Sequence, residues 1–189
     1  MPTATKLRQY KIDVAASLFT VQAFASGIAA VVAHSPKFAV RDMVGHAWFD
    51  PESGKDASVE LTVSLTSLEI MDEVTRNERR EIERIMFGEV LEISRYPTVK
   101  YKSSQVSATK AGENTFRLGL LGELTLHGFT RGIGFDAMLV AGADTLRGQG
   151  SFSLSQSDYG IVMASVAGGS IKLKDELKFS YFILARRHD

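Results

Sequence analysis

Along most of the chain, apolar and polar residues alternate one by one. Val59, Leu61, Val63 and Leu65 alternate with Ser58, Glu60, Thr62 and Ser64. Phe116, Leu118, Leu120, Gly122, Leu124 and Leu126 hold one face against Arg117, Gly119, Glu123 and Thr125. Leu146, Phe152 and Leu154 oppose Arg147, Gln149, Ser151, Ser153 and Ser155. Near the end Ile171, Leu173, Leu177, Phe179, Tyr181 and Ile183 alternate with Lys172, Lys174, Glu176 and Lys178. A period of two with one wet face predicts antiparallel strands. Asp50 to Gly54, Lys110 to Asn114, Gly142 to Asp144 and His127-Gly128 separate the runs with turn chemistry. Such short links favour hairpins over parallel crossovers.

One stretch has a different period. Ile82, Ile85, Met86, Val90 and Ile93 recur at three- and four-residue steps among dense charges, which predicts an amphipathic helix over about 76–92. Thr75 and Glu78 have capping-box spacing, and Tyr96-Pro97 marks the stop beyond the far end. The uncharged run from Val14 to Ala33 resembles a signal or membrane-spanning segment at first reading. Asp13, Ser17, Thr20, Gln22, Ser26 and Gly27 dilute it, and Phe19, Val21 and Ala23 alternate with Thr20 and Gln22. Strands are therefore expected here too, with no integral membrane segment and the cytoplasm as the default location (periplasm or secretion the alternative). After Ala23 both faces are apolar, so this strand needs extra cover from a dimer partner, the helix or a membrane surface.

The expected fold is mainly all-β, a closed antiparallel barrel of about eight strands with one helix, in a single domain over residues 1–189. Closure removes the exposed edges that an open sheet of this size would carry. An eight-stranded barrel holds either filling side chains or one small ligand. Runs of ten or more residues span roughly 33 Å, long for a barrel with nothing inside.

Composition narrows the function. Lys plus Arg equals Asp plus Glu at 22 each, which argues against a nucleic-acid partner. There is no cysteine, so no disulfide or thiolate metal site is available. His34, His46, His127 and His188 show no metal-ligand spacing, and neither a metal nor a cofactor is expected. No Gly-x-Ser-x-Gly elbow occurs. Gly132-Ile133-Gly134-Phe135-Asp136-Ala137 loosely fits a dinucleotide string, but a strand rather than a helix follows. Gly119, Gly122, Gly148 and Gly150 mark bends, or places where a ligand nears the backbone. Eleven phenylalanines form the positive signal. They serve a filled core or the wall of a greasy cavity, and the pattern alone leaves both open.

Several strings, in order along nearly the whole chain, resemble the YceI-like family of polyisoprenoid-binding, lipocalin-type proteins. They are Tyr10-Lys11-Ile12-Asp13, the block from Ser35 to Pro51, Arg95 to Tyr101, Leu124 to Arg131, Ser157 to Ile161 and Lys174 to Leu177. The resemblance implies an extended barrel with a helix, a central tunnel and a bound isoprenoid, quinone or other amphiphilic lipid, without catalysis. It departs from the family pattern at Ala15-Ala16-Ser17, where histidine often follows the opening strand.

The candidate wall residues are Phe19, Val21, Phe24, Phe38, Phe116, Leu118, Phe135 and Phe152, each equally suited to plain core packing. His34 and His127 are headgroup candidates, with a structural hydrogen bond the alternative for His127. Tyr159 offers a hydroxyl to a headgroup or anchors a strand end. Two rival readings remain. One is a homodimeric interaction module with a filled barrel. The other is a hydrolase-type enzyme with His34 or His127 as general base, which requires a polar partner within reach.

Overall fold

In the computed structural model, which describes residues 6–26, 35–163, 165–166 and 171–188, the alternating runs join one antiparallel sheet. Its strands are β1 (Arg8–Ile12), β2 (Leu18–Ser26), β3 (Lys37–Val40), β4 (Met43–Phe49), β5 (Ser58–Ser64) and β6 (Leu68–Ile70). After the helix come β7 (Thr98–Lys110), β8 (Thr115–Leu126), β9 (Phe129–Ala141), β10 (Thr145–Ser155), the short β11 (Ser165–Val166) and β12 (Ile171–Arg187). The hydrogen-bonded circuit runs β1-β4-β5-β7-β8-β9-β10-β12 and back to β1, a closed barrel of eight strands.

The remaining strands extend that circuit. β1 and β2 form one long strand interrupted by a tight turn at Val14–Ala16, and β12 pairs with both parts. β3 continues into β4, and β5 continues into β6 past a second tight turn at Leu65–Ser67. Both interruptions are short and leave the apolar residues on either side facing the interior, as with Ile12 and Phe19. The first break is fixed by hydrogen bonds to β12. The Asp13 N–H donates to Leu184 O at 2.8 Å, and the Leu184 N–H donates to Ser17 Oγ at 3.0 Å. Asp13 Oδ1 also accepts from Ala16 N–H, and Asp13 Oδ2 accepts from Arg186 Nε at 2.7 Å.

The helix begins where the capping box predicts. In α1 (Arg76–Arg84), Thr75 Oγ1 accepts from the Glu78 N–H while the Glu78 carboxylate accepts from the Thr75 N–H. The expected continuation to about residue 92 is wound differently, as a π-helical turn at Ile85–Val90 closed by the Leu91 N–H to Met86 O. The wider turn lets Ile85, Met86, Val90 and Leu91 all reach the barrel interior.

The two barrel ends differ. One carries the helix, the β8–β9 hairpin and the 3-10 turn at Gln156–Tyr159. The other is a close-packed floor around Tyr10, Phe49 and Phe116, with the Phe49 and Phe116 rings edge to face at 5.1 Å. The loop after β4 closes over this floor around Asp50, which is 2% exposed. Its carboxylate accepts from Ser53 Oγ at 2.6 Å and from the Glu52 and Lys6 N–H groups. Burial opposes the Asp50 charge, but these hydrogen bonds outweigh it and hold the pKa below the ordinary aspartate value.

Two outcomes follow for stability. A Cβ at Gly122 would strike Lys102 O and the Tyr101 ring, whereas one at Gly132 meets nothing within 4 Å. Gly122→Ala is expected to cost about 1–3 kcal/mol in urea unfolding and Gly132→Ala almost nothing. Because the Asp50 pKa is lower folded than unfolded, its contribution is present above the unfolded value, near 3.8, and lost as pH falls through the folded value. Asp50→Asn should therefore lower stability at neutral pH and narrow the gap to wild type in strong acid; equal losses at both pH values would contradict this.

Candidate functional site

The inward-facing residues of every barrel strand enclose a cavity of about 560 Å³ above the floor. That lies within the range of roughly 300–1,000 Å³ usual for small-molecule sites. Its described wall contains no Asp, Glu, Lys, Arg or His; the polar side chains in it are Ser58, Tyr101, Gln156, Tyr181 and the Trp48 indole. Strand alternation produces this wall directly, since a closed barrel turns every second side chain inward.

An aromatic belt crosses the upper wall through five strands. Phe19 of β2 meets Phe179 of β12 edge on at 6.1 Å, and Phe179 stacks on Phe152 of β10 at 4.8 Å. Phe152 stacks on Phe135 of β9 at 4.7 Å, and Phe135 leans on Tyr101 of β7 at 5.3 Å. The Phe135–Phe152 stack bridges a split in the wall. β9 and β10 pair only from Met138–Ala141 to Leu146–Gln149, although both strands run further. Side-chain stacking continues the wall where the backbone ladder stops.

The structure sorts the sequence-derived candidates into three groups. Phe19, Val21, Phe38, Leu118, Phe135 and Phe152 line the cavity. Phe116 lies below it, in the floor, and Phe24 falls beside the β12 bulge between Leu173 and Leu177, outside the lining. His127 and Tyr159 are buried behind the wall, and His34 lies outside the described residues. Tyr101, Gln156 and Tyr181 were not singled out from the sequence. Tyr101 and Tyr181 carry the alternation of their strands, but a tyrosine on an apolar face reads as core; Gln156 sits among serines with no pattern of its own.

His127 ties together the elements around the upper end. It occupies a tight hairpin turn with Gly128, at φ 51° and 78° respectively. Its Nδ1 lies 3.2 Å from Tyr159 O, and its Nε2 lies 3.0 Å from Glu92 Oε2. Because the carbonyl only accepts, Nδ1 must carry a proton. The ring packs on Tyr96 at 4.5 Å. Glu92 follows the π turn and holds φ 44°, a left-handed conformation uncommon for a residue with a Cβ. One histidine thus joins the end of the helix, the β8–β9 hairpin and the turn that carries Gln156. The Tyr159 hydroxyl is buried without a partner, and burial, then Asp158, pushes its pKa up. Burial also raises the Tyr101 hydroxyl, to about 12, so both phenols stay neutral at physiological pH.

Comparison with known proteins agrees with this geometry. The sequence profile of the YceI-like domain matches residues 10–181. The chain belongs to the YceI-like family. Its barrel is similar to that of Burkholderia cenocepacia BcnA, at TM-score 0.70 and 15% identity, over 92% of this chain and 98% of that one. A polyisoprenoid binding domain from Saccharophagus degradans, implicated in plant cell wall breakdown, aligns at TM-score 0.64 and 14% identity over 97% and 100% of the chains. The Campylobacter jejuni YCEI protein aligns at TM-score 0.57 and 13% identity over 79% and 83%. No curated protein matches the chain. Among the described residues no helix is long and apolar enough to cross a membrane, and no group of side chains is placed to hold a metal ion.

The role of His127 as a tie predicts a specific loosening. In His127→Asn, which keeps a residue tolerant of the left-handed turn, both hydrogen bonds are altered. Amide hydrogen exchange should then quicken in residues 87–97 and in 156–161 together. Loosening confined to the hairpin itself would show that the histidine does not join these elements.

Proposed function

We propose that this YceI-like chain binds and shields the tail of a long apolar lipid, of the isoprenoid or quinone class, without acting on it chemically. The observation that carries the reading is the cavity wall, mostly apolar and free of charged side chains among the described residues. Each buried CH₂ group contributes about 0.8 kcal/mol, so ten or so carbons supply several kcal/mol even after ordering costs. The name of the Saccharophagus degradans domain, which calls it polyisoprenoid binding, supports the same ligand class. A binding role without catalysis is supported by His127, whose two ring nitrogens both face protein acceptors and which does not line the cavity.

The direct test is to denature the purified protein, extract it with organic solvent and analyse the extract by mass spectrometry. A stoichiometric isoprenoid or quinone is expected. Ala137 is 8% exposed and faces the cavity, so Ala137→Phe should fill space the tail needs. That variant should stay folded yet retain at least tenfold less lipid, a change of about 1.4 kcal/mol. An empty extract together with failure to bind added isoprenoids would overturn the proposal.

A further inference from the structure

Among the described residues Gln156 is the one amide side chain in the cavity wall, and it is 2% exposed. It opens the 3-10 turn Gln156–Tyr159, and its own carbonyl accepts from the Ile161 N–H, so backbone and side chain are both fixed. The side-chain Nε2 donates to Lys174 O at 2.8 Å. A carbonyl can only accept, which settles the amide orientation and leaves Oε1 as the free end. No described residue donates to that oxygen. Gln156 lines the cavity, and an acceptor there with no protein donor is matched by a donor on the ligand.

Tyr101, the other wall residue of this region, has its hydroxyl fully enclosed. It lines the same cavity at 8% exposure, and its hydroxyl is a buried donor with no acceptor. It packs in one apolar cluster with Tyr159 and Ile161, which belong to the segment that Gln156 begins. Phosphate and carboxylate headgroups have no cation to meet in the described wall. An ionised group held there would lose its hydration without compensation. An ether or a quinone carbonyl accepts hydrogen bonds but cannot donate to Oε1. An alcohol does both.

We propose that Gln156 is a headgroup anchor and that the cavity selects a neutral lipid ending in a hydroxyl, whose O–H donates to Gln156 Oε1. The proposal rests on the carrier reading given above and adds to it the chemistry of the lipid's end. The test compares four probes on delipidated protein by fluorescence competition: geranylgeraniol, its methyl ether, geranylgeranyl phosphate and squalene. Geranylgeraniol should bind roughly tenfold tighter than the methyl ether, the effect of leaving one buried polar group unpaired. Squalene should bind like the ether, and the phosphate more weakly than the alcohol. Gln156→Met, similar in length and without the acceptor, should bring the alcohol down to the ether and leave the ether unchanged. Equal binding of alcohol and ether by wild type overturns the anchor, with no need for the variant. So does tighter binding of the phosphate, or an alcohol preference that survives in Gln156→Met. If the ether and squalene bind while the preference is absent, the anchor alone falls. If none of the four binds, the carrier reading falls with it.

Discussion

Everything in this molecule depends on one strand closing the sheet on itself. β12 pairs with β10 along most of its length, with β2 over its first two-thirds and with β1 at its end. The first strand can serve both positions only because it turns at Val14–Ala16. Asp13 and Ser17 hold that turn onto Leu184 and Arg186, supplying backbone partners at the point where the ladder changes register. An open sheet would leave unpaired N–H and C=O groups at that seam. Closed, it commits every second side chain to a shared interior.

That interior is divided. At one end Tyr10, Phe49 and Phe116 pack into a floor, and the Asp50 loop closes over it. Above them the same alternation produces walls that do not meet, because Ala23, Ala47, Ala57, Ala137 and Gly148 stand where larger residues would close the space. Native cores are packed with few voids larger than a water molecule. A chain that packs a dense floor and then stops filling leaves room for an apolar guest above it.

Much of this was legible in the sequence, for particular reasons. A period of two names strands and, once the sheet closes, assigns inner and outer faces; Phe116 to Leu126 is the clearest instance. Thr75 and Glu78 fixed the helix start, since a capping box is local chemistry. The π turn was not legible, because apolar residues at three- and four-residue steps look alike in either winding. Nor was the division between floor and cavity, which separates Phe116 from Leu118 on one strand and one face. That Phe24 lies outside the lining was legible, since a period of two sets it with Thr20 and Gln22 on the face opposite Phe19 and Val21. The Glu92–His127 contact joins residues 35 apart that share no motif.

Three interruptions of the regular structure lie at the end where the cavity is not floored. The β5 ladder with β7 stops at Ser64–Thr98, the β9–β10 ladder stops short of its strand ends, and the helix unwinds into a π turn. All three lie at the end away from the floor. There the wall is continued by side chains: the Phe135–Phe152 stack across the split, and the helical residues Ile82, Ile85 and Met86 over the interior. Backbone ladders open cooperatively and at high cost, whereas rings and a short helix can shift one by one. A ligand that must pass an otherwise seamless barrel needs such a region, and His127 is the point at which its separate pieces are held in register.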